Sequence, residues 1–122
     1  MTFKALVFEH SGEADVSAAV QELTEVRLPA GNVTIAVEYS TMNYKDGLCL
    51  HPGGGGLVRR YPHVPGIDFA ATVETSDDPR NKPGDKVIIT GWRLGETHCG
   101  GFSQKQRVNA DWMVPLPKGL TT

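Results

Sequence analysis

The chain has 122 residues, enough for one domain around a modest core. Hydrophobic residues make up 39% and charged residues 21%, the balance of a globular protein, and a net charge of −2 argues against the basic face that nucleic-acid binding needs. No apolar run approaches the roughly 18–20 residues that span a membrane, and "MTFKALVFEHSGE" lacks the apolar core and cleavage site of a signal peptide, so a cytoplasmic protein is expected.

The predicted elements are short and mostly extended. "FKALVF" (3–8) reads as a strand, and "SGEAD" as the turn after it. "AAVQELTEVRL" (18–28) alternates only in part, but its Val and Thr content and the "PAGN" that ends it favour a strand over a helical turn. "VTIAVEYS" (33–40) is the clearest strand, with Val33, Ile35 and Val37 alternating with Thr34, Ala36 and Glu38. "NYKDGLCL" (43–50) suits one or two helical turns with Asn43 as N-cap. A long glycine-rich loop, "HPGGGGLVRRYPHVPG" (51–66), follows it.

"DFAATVE" (68–74) and "KVIIT" (86–90) are strands joined by a polar connection. Within that connection, "KPGD" predicts a type II turn with Gly84 in its third place. After the loop "GWRLGETHCGG" (91–101), "FSQKQRVN" (102–109) and "WMVPLP" (112–117) complete the set. Fourteen glycines and eight prolines suit short strands and tight turns better than helices. Six or seven strands with irregular spacing predict a mainly β, partly open barrel rather than a sandwich. The two cysteines, Cys49 and Cys99, form no C-x-x-C pair and are expected to be free thiols.

"NYKDG", "VPGIDFAATV", "KPGDKVI" and "GGFSQKQRV", in this order and spacing, resemble the N-terminal GroES-like catalytic domain of the medium-chain dehydrogenase/reductase superfamily. Within it the chain looks like the zinc-free quinone-oxidoreductase branch. "STMNYKDGL", "RRYPHVPGIDFA", "GWRLGETHCGGFSQKQRV" and "DWMVPLPKGL" are most similar to its acrylyl-CoA reductases, the YhdH-type oxidoreductases. The resemblance implies a cytoplasmic homodimer that uses NADPH to reduce the C=C bond of an α,β-unsaturated CoA thioester. A quinone or enone reductase of the same branch, and a stand-alone GroES-like binding module without activity, are the alternatives.

Family members continue into a Rossmann domain. The glycine clusters here, 53–56 and 100–101, do not join a strand to a helix as a dinucleotide fingerprint does. Residues 1–122 are therefore expected to be the GroES-like part alone, with NADPH bound mainly elsewhere. Zinc-dependent relatives begin one strand Gly-His-Glu and carry a Cys near positions 44–46. This chain has Gly66-Ile67-Asp68 and "NYKD", so no zinc is expected, and the four scattered histidines read as surface or loop residues.

In that reading Asn43 and Tyr44 line the nicotinamide and substrate cleft, with Tyr44 the more important donor to the oxygen where charge develops. Lys45 and Asp46 are expected to form a local ion pair, worth little if exposed, with Asp46 also a structural support of the site. Asp68 either supports the site from below or accepts backbone N–H groups of the "VPG" turn. Arg59 and Arg60 offer guanidinium forks for the CoA phosphates, with loop solubility as the plainer explanation. Trp92 and Trp112 are expected to be packing groups.

Overall fold

The computed structural model describes residues 2–10, 15–51, 56–58 and 60–122. Among them are seven strands: β1 (Thr2–His10), β2 (Val16–Thr24), β3 (Val33–Ser40), β4 (Asp68–Ser76), β5 (Lys86–Thr90), β6 (Lys105–Val108) and β7 (Met113–Pro115). A short helix, α1 (Tyr44–Leu48), follows β3. β1 and β2 pair as an antiparallel hairpin, and the other five form one antiparallel sheet in the order β6-β3-β4-β5-β7. Isolated bridges from Ala5 to Ser103 and from Phe8 to His63 join hairpin to sheet without closing a barrel. The expected open β architecture is what forms.

Alternation builds the core. Ile35 lies opposite Val73, Val37 opposite Ala71, Ala71 opposite Val87 and Phe69 opposite Ile89, so one face of three strands is apolar. With Val33, Leu94, Val108 and Ala110 these residues form the main buried cluster. Phe3, Ala5, Val7, Leu23 and Val64 form a second cluster under the hairpin. The "KPGD" turn forms as expected: the Asp85 N–H donates to the Lys82 carbonyl at 3.1 Å, and Gly84 takes φ +93°.

Several strand boundaries differ from the sequence expectation: β1 and β4 run longer, and β7 is shorter because a 3-10 turn takes up Ala110–Trp112. β2 starts earlier, at Val16, because its whole length pairs in register with β1, and it yields to a 3-10 turn over Glu25–Arg27. Phe102–Gln104 do not belong to β6. The Phe102 carbonyl accepts the Leu6 N–H, and Gln104 bonds to both Lys4 and Val37, so these residues cross from sheet to hairpin.

One end of the five-stranded sheet positions the site. The Thr41 N–H donates to the Asp68 carbonyl at 3.3 Å, and Asp68 faces Thr90 across the β4–β5 pair. Residues 41–50 and 91–101 therefore leave the sheet side by side.

Candidate active site

α1 starts directly after β3, and its first turn is fixed by Asp46. Asp46 Oδ2 accepts the Asn43 N–H at 2.8 Å, the arm of a capping box that runs from the third helical residue back to the N-cap. Its other oxygen, Oδ1, accepts the Gly66 N–H at 2.9 Å. With only 3% of its surface exposed, Asp46 is a buried carboxylate holding two backbone donors.

This corrects two expectations. Lys45 and Asp46 do not pair: Asp46 points inward, while Lys45 Nζ reaches out to Glu96 at 3.4 Å. The acid that accepts the N–H of the "VPG" turn is Asp46, because α1 lies against Gly66 and the first turn of a helix aims its third side chain at that point. Asp68 acts here through its main chain, its carbonyl accepting the Ser40 hydroxyl at 3.0 Å and the Thr41 N–H.

Asn43 occupies the N-cap position, and its amide nitrogen donates to Thr41 Oγ1 at 2.8 Å. Tyr44 is 85% exposed at the helix start. In the loop after β5, Trp92 is 58% exposed, at φ +55°, and Arg93 follows at φ +60°. Two successive left-handed residues that are not glycine are uncommon and cluster at functional sites. Trp92 stacks on Trp112 with ring centroids 6.1 Å apart and planes at 19°, and His98 meets Trp112 edge-on at 5.0 Å. Trp112 is the packing group expected, but Trp92 presents much of its indole to solvent.

The loop after β5 is fastened to α1 and to the turn before β4 by close backbone approach. A Cβ on Gly100 would lie 2.0 Å from the Gly66 carbonyl oxygen, and one on Gly95 would lie 2.8 Å from the Gly66 carbonyl carbon. The Gly95 carbonyl accepts His63 Nε2–H at 2.8 Å and lies 3.6 Å from the Cys49 thiol. His63 is thus a loop histidine that is buried and structural rather than on the surface. His10 and His51 are exposed and His98 is half-buried. Burial, with the Asp46 and Glu96 charges adding to it, pushes the Cys49 thiol up to about 11, so it stays protonated and is no nucleophile. Both cysteines are free. Among the described residues no three His, Cys, Asp or Glu side chains converge as metal ligands, and no helix is long and apolar enough to cross a membrane.

Asn43, Tyr44 and Asp46 thus share one turn, beside the start of Asp68's strand. Arg60 lines a neighbouring cleft, and Arg59 lies outside the described residues, as do Gly53–Gly55 of the glycine run. Sequence reasoning missed Glu96, Arg93 and the glycines at 95 and 100. The only signal for them was the glycine spacing of "GWRLGETHCGG".

Comparison with known proteins shows the family to which this fold belongs. Residues 29–118 match the family model described as alcohol dehydrogenase GroES-like domain. Acrylyl-CoA reductase AcuI of Ruegeria pomeroyi is 65% identical over 121 residues, which cover 98% of this chain and 36% of that protein. YhfP of Bacillus subtilis, assigned provisionally to the quinone oxidoreductases, is 46% identical over 119 residues, again 98% of this chain and 36% of the relative. The crystal structure of the yhdH oxidoreductase from Salmonella enterica in complex with NADP superposes with a TM-score of 0.90. Its identity is 47%, covering 99% of this chain and 36% of that one. The chain spans about a third of the length of the relatives it matches.

Proposed function

The chain belongs to the alcohol dehydrogenase GroES-like domain family, and we propose that residues 1–122 form the catalytic β-domain of an NADPH-dependent, zinc-independent reductase. Its substrate is an α,β-unsaturated CoA thioester, acrylyl-CoA, reduced to propionyl-CoA. The enzyme works as a cytoplasmic homodimer, with the dinucleotide held mainly by a further unit. The 65% identity to an acrylyl-CoA reductase, sustained over nearly the whole chain, carries the reading.

The residues present fit one side of a nicotinamide: an exposed phenol, an amide and an exposed indole, all at one sheet end. NADPH, when bound, supplies the hydride for the β-carbon of the thioester. Negative charge then develops on the thioester oxygen, and in this reading Tyr44 is the donor that meets it. Asn43 orients its neighbours from the same turn. Ile67 and the cysteine-free turn 43–46 lack the sulfur and imidazole donors that a catalytic zinc takes, so charge stabilisation falls to protein N–H and O–H groups. The α-carbon then takes a proton, which water can supply.

The relationship to YhfP favours a second reading, a quinone reductase of the same branch. Turnover by the intact protein decides between them, with NADPH and a panel of acrylyl-CoA, crotonyl-CoA and a benzoquinone. Acrylyl-CoA should give the highest kcat/KM; a quinone preferred over both thioesters overturns the proposal.

A further inference from the structure

Beside α1 lies a cleft of about 610 Å³, lined among others by Arg60, His63, Arg93, Glu96, His98 and Cys99. That volume falls in the range of small-molecule sites, about 300–1,000 Å³. The arginines come from two segments, one before β4 and one after β5, that are fastened to each other. His63 pairs with Phe8 through both backbone bonds, at 2.7 and 2.9 Å, which fixes the chain three residues beyond Arg60. The Arg93 carbonyl accepts the N–H groups of Glu96 and His98, both at 3.1 Å, so its left-handed turn is built into the loop. The His63–Gly95 bond and a Gly100 N–H to Val64 carbonyl bond at 2.8 Å join the two segments.

The charge in this cleft is unbalanced. Among the described residues neither Arg60 nor Arg93 has an ion-pair or hydrogen-bond partner for its guanidinium, and both are exposed. Glu96 is the one carboxylate among the lining residues, and Lys45 holds it. Other cations are paired, as with Arg80 on Asp78 and Asp111 and Lys105 on Glu25. Lys4, Arg27, Lys82 and Lys118 are exposed without an ion pair among the described residues; what sets Arg60 and Arg93 apart is that both line one cleft. Two unpaired guanidinium forks facing one concave surface suit a group with several anionic oxygens at fixed angles, which is a phosphate.

We propose that this cleft binds a phosphate group of a nucleotide-bearing ligand through Arg60 and Arg93. The inference rests on the reading of the chain as part of an NADPH-dependent reductase of CoA thioesters. Both ligands of that reaction carry such groups, the 3′-phosphate and pyrophosphate of CoA and the 2′-phosphate and pyrophosphate of NADPH. The Lys45–Glu96 pair joins α1 to the cleft wall. A long ligand could thus keep its phosphates here and its reacting end at Tyr44.

Calorimetric titration of the intact protein with CoA, 3′-dephospho-CoA and NADPH tests this, on wild type, Arg60→Gln, Arg93→Gln and Arg60→Lys. Lys118→Gln serves as a control for general charge. Each Gln variant should weaken one ligand about tenfold, the loss of one charge-assisted contact. Arg60→Lys should fall between, because lysine keeps the charge but not the fork. Loss confined to CoA assigns the cleft to the substrate, and a smaller loss with 3′-dephospho-CoA places the 3′-phosphate there. Loss confined to NADPH assigns it to the cofactor. Unchanged affinity for both ligands in both Gln variants, or an equal loss in Lys118→Gln, overturns the proposal. A wild type that binds NADPH but not CoA defeats the thioester reading alone, and the NADPH titration still decides the cleft.

Discussion

Asp46 and Gly66 are joined by a buried hydrogen bond, carboxylate oxygen to backbone N–H at 2.9 Å, that ties the only described α-helix to the turn leading through Ile67 into β4. The other Asp46 oxygen holds the Asn43 N–H, so one side chain sets where both halves of the candidate site begin. Half-buried Asn43 and exposed Tyr44 thus stand on a buried acid.

Asp46→Asn should therefore be costly although it is nearly isosteric. An amide has one acceptor oxygen, and its NH₂ would face a second buried N–H. Leaving one such donor unsatisfied costs about 1–3 kcal/mol. For a domain of this size that corresponds to a fall in Tm of about 5–10 °C. Thermal unfolding followed by circular dichroism measures it, and an unchanged Tm would show that the two bonds carry no net stability.

Much of the frame was legible in the sequence. β3 shows itself through Val33, Ile35 and Val37 because one face of it is buried and period two leaves no other reading. The "KPGD" turn shows itself because Gly84 must take a positive φ. Asp46 did not, because its partner lies twenty residues away and the adjacent Lys45 offers a plausible local pair. The strand over 102–109 was overextended because Phe102 and Gln104 alternate like sheet residues while bonding to the hairpin instead. Arg93 was invisible because its importance comes from convergence with Arg60 across a fold, not from spacing.

The glycines give a contrast within one protein. Gly100→Ala would put a Cβ 2.0 Å from the Gly66 carbonyl oxygen, a backbone atom that cannot step aside, and should abolish soluble folded protein. Gly47→Ala meets nothing within 4 Å in the middle of α1 and should stabilise by about 0.5–1 kcal/mol through helix propensity. Soluble yield and denaturant midpoints of the two variants test the pair. A folded, stable Gly100→Ala protein would contradict the close approach of residues 66 and 100.

Acid should destabilise the fold through buried His63 and half-buried His98. Burial lowers the pKa of His63 from its ordinary 6.5, against the opposing effect of the Gly95 carbonyl, and burial lowers His98 in the same direction. Between the folded and unfolded values the unfolded chain binds more protons, so stability falls as pH drops below about 6.5. His63→Gln keeps an amide donor for Gly95 and cannot charge. Its unfolding free energy should lose less than wild type between pH 7.5 and 5.5. Equal losses in the two proteins would remove His63 from the acid response.

The sharpest test of the reaction centre separates Tyr44 from Asn43 in the intact enzyme. Tyr44 is exposed, so Tyr44→Phe removes a hydroxyl without opening a cavity, and stability should be unchanged. If the phenol donates to the thioester oxygen as charge develops, its loss acts on the transition state more than on the ground state. kcat should then fall about 10–100-fold, with KM for both substrates nearly constant. A rise in KM for NADPH at constant kcat would instead make Tyr44 a wall of the nicotinamide pocket. Asn43→Ala leaves the backbone N–H that Asp46 holds, so α1 should still start in place. It deletes the amide that bonds Thr41, and a smaller loss, about three- to tenfold in kcat/KM, is expected from a loosened turn. Stopped-flow measurement of NADPH oxidation with acrylyl-CoA, under single-turnover conditions, reads the chemical step directly. Wild-type rates for both variants would make the turn structural and move the donor elsewhere.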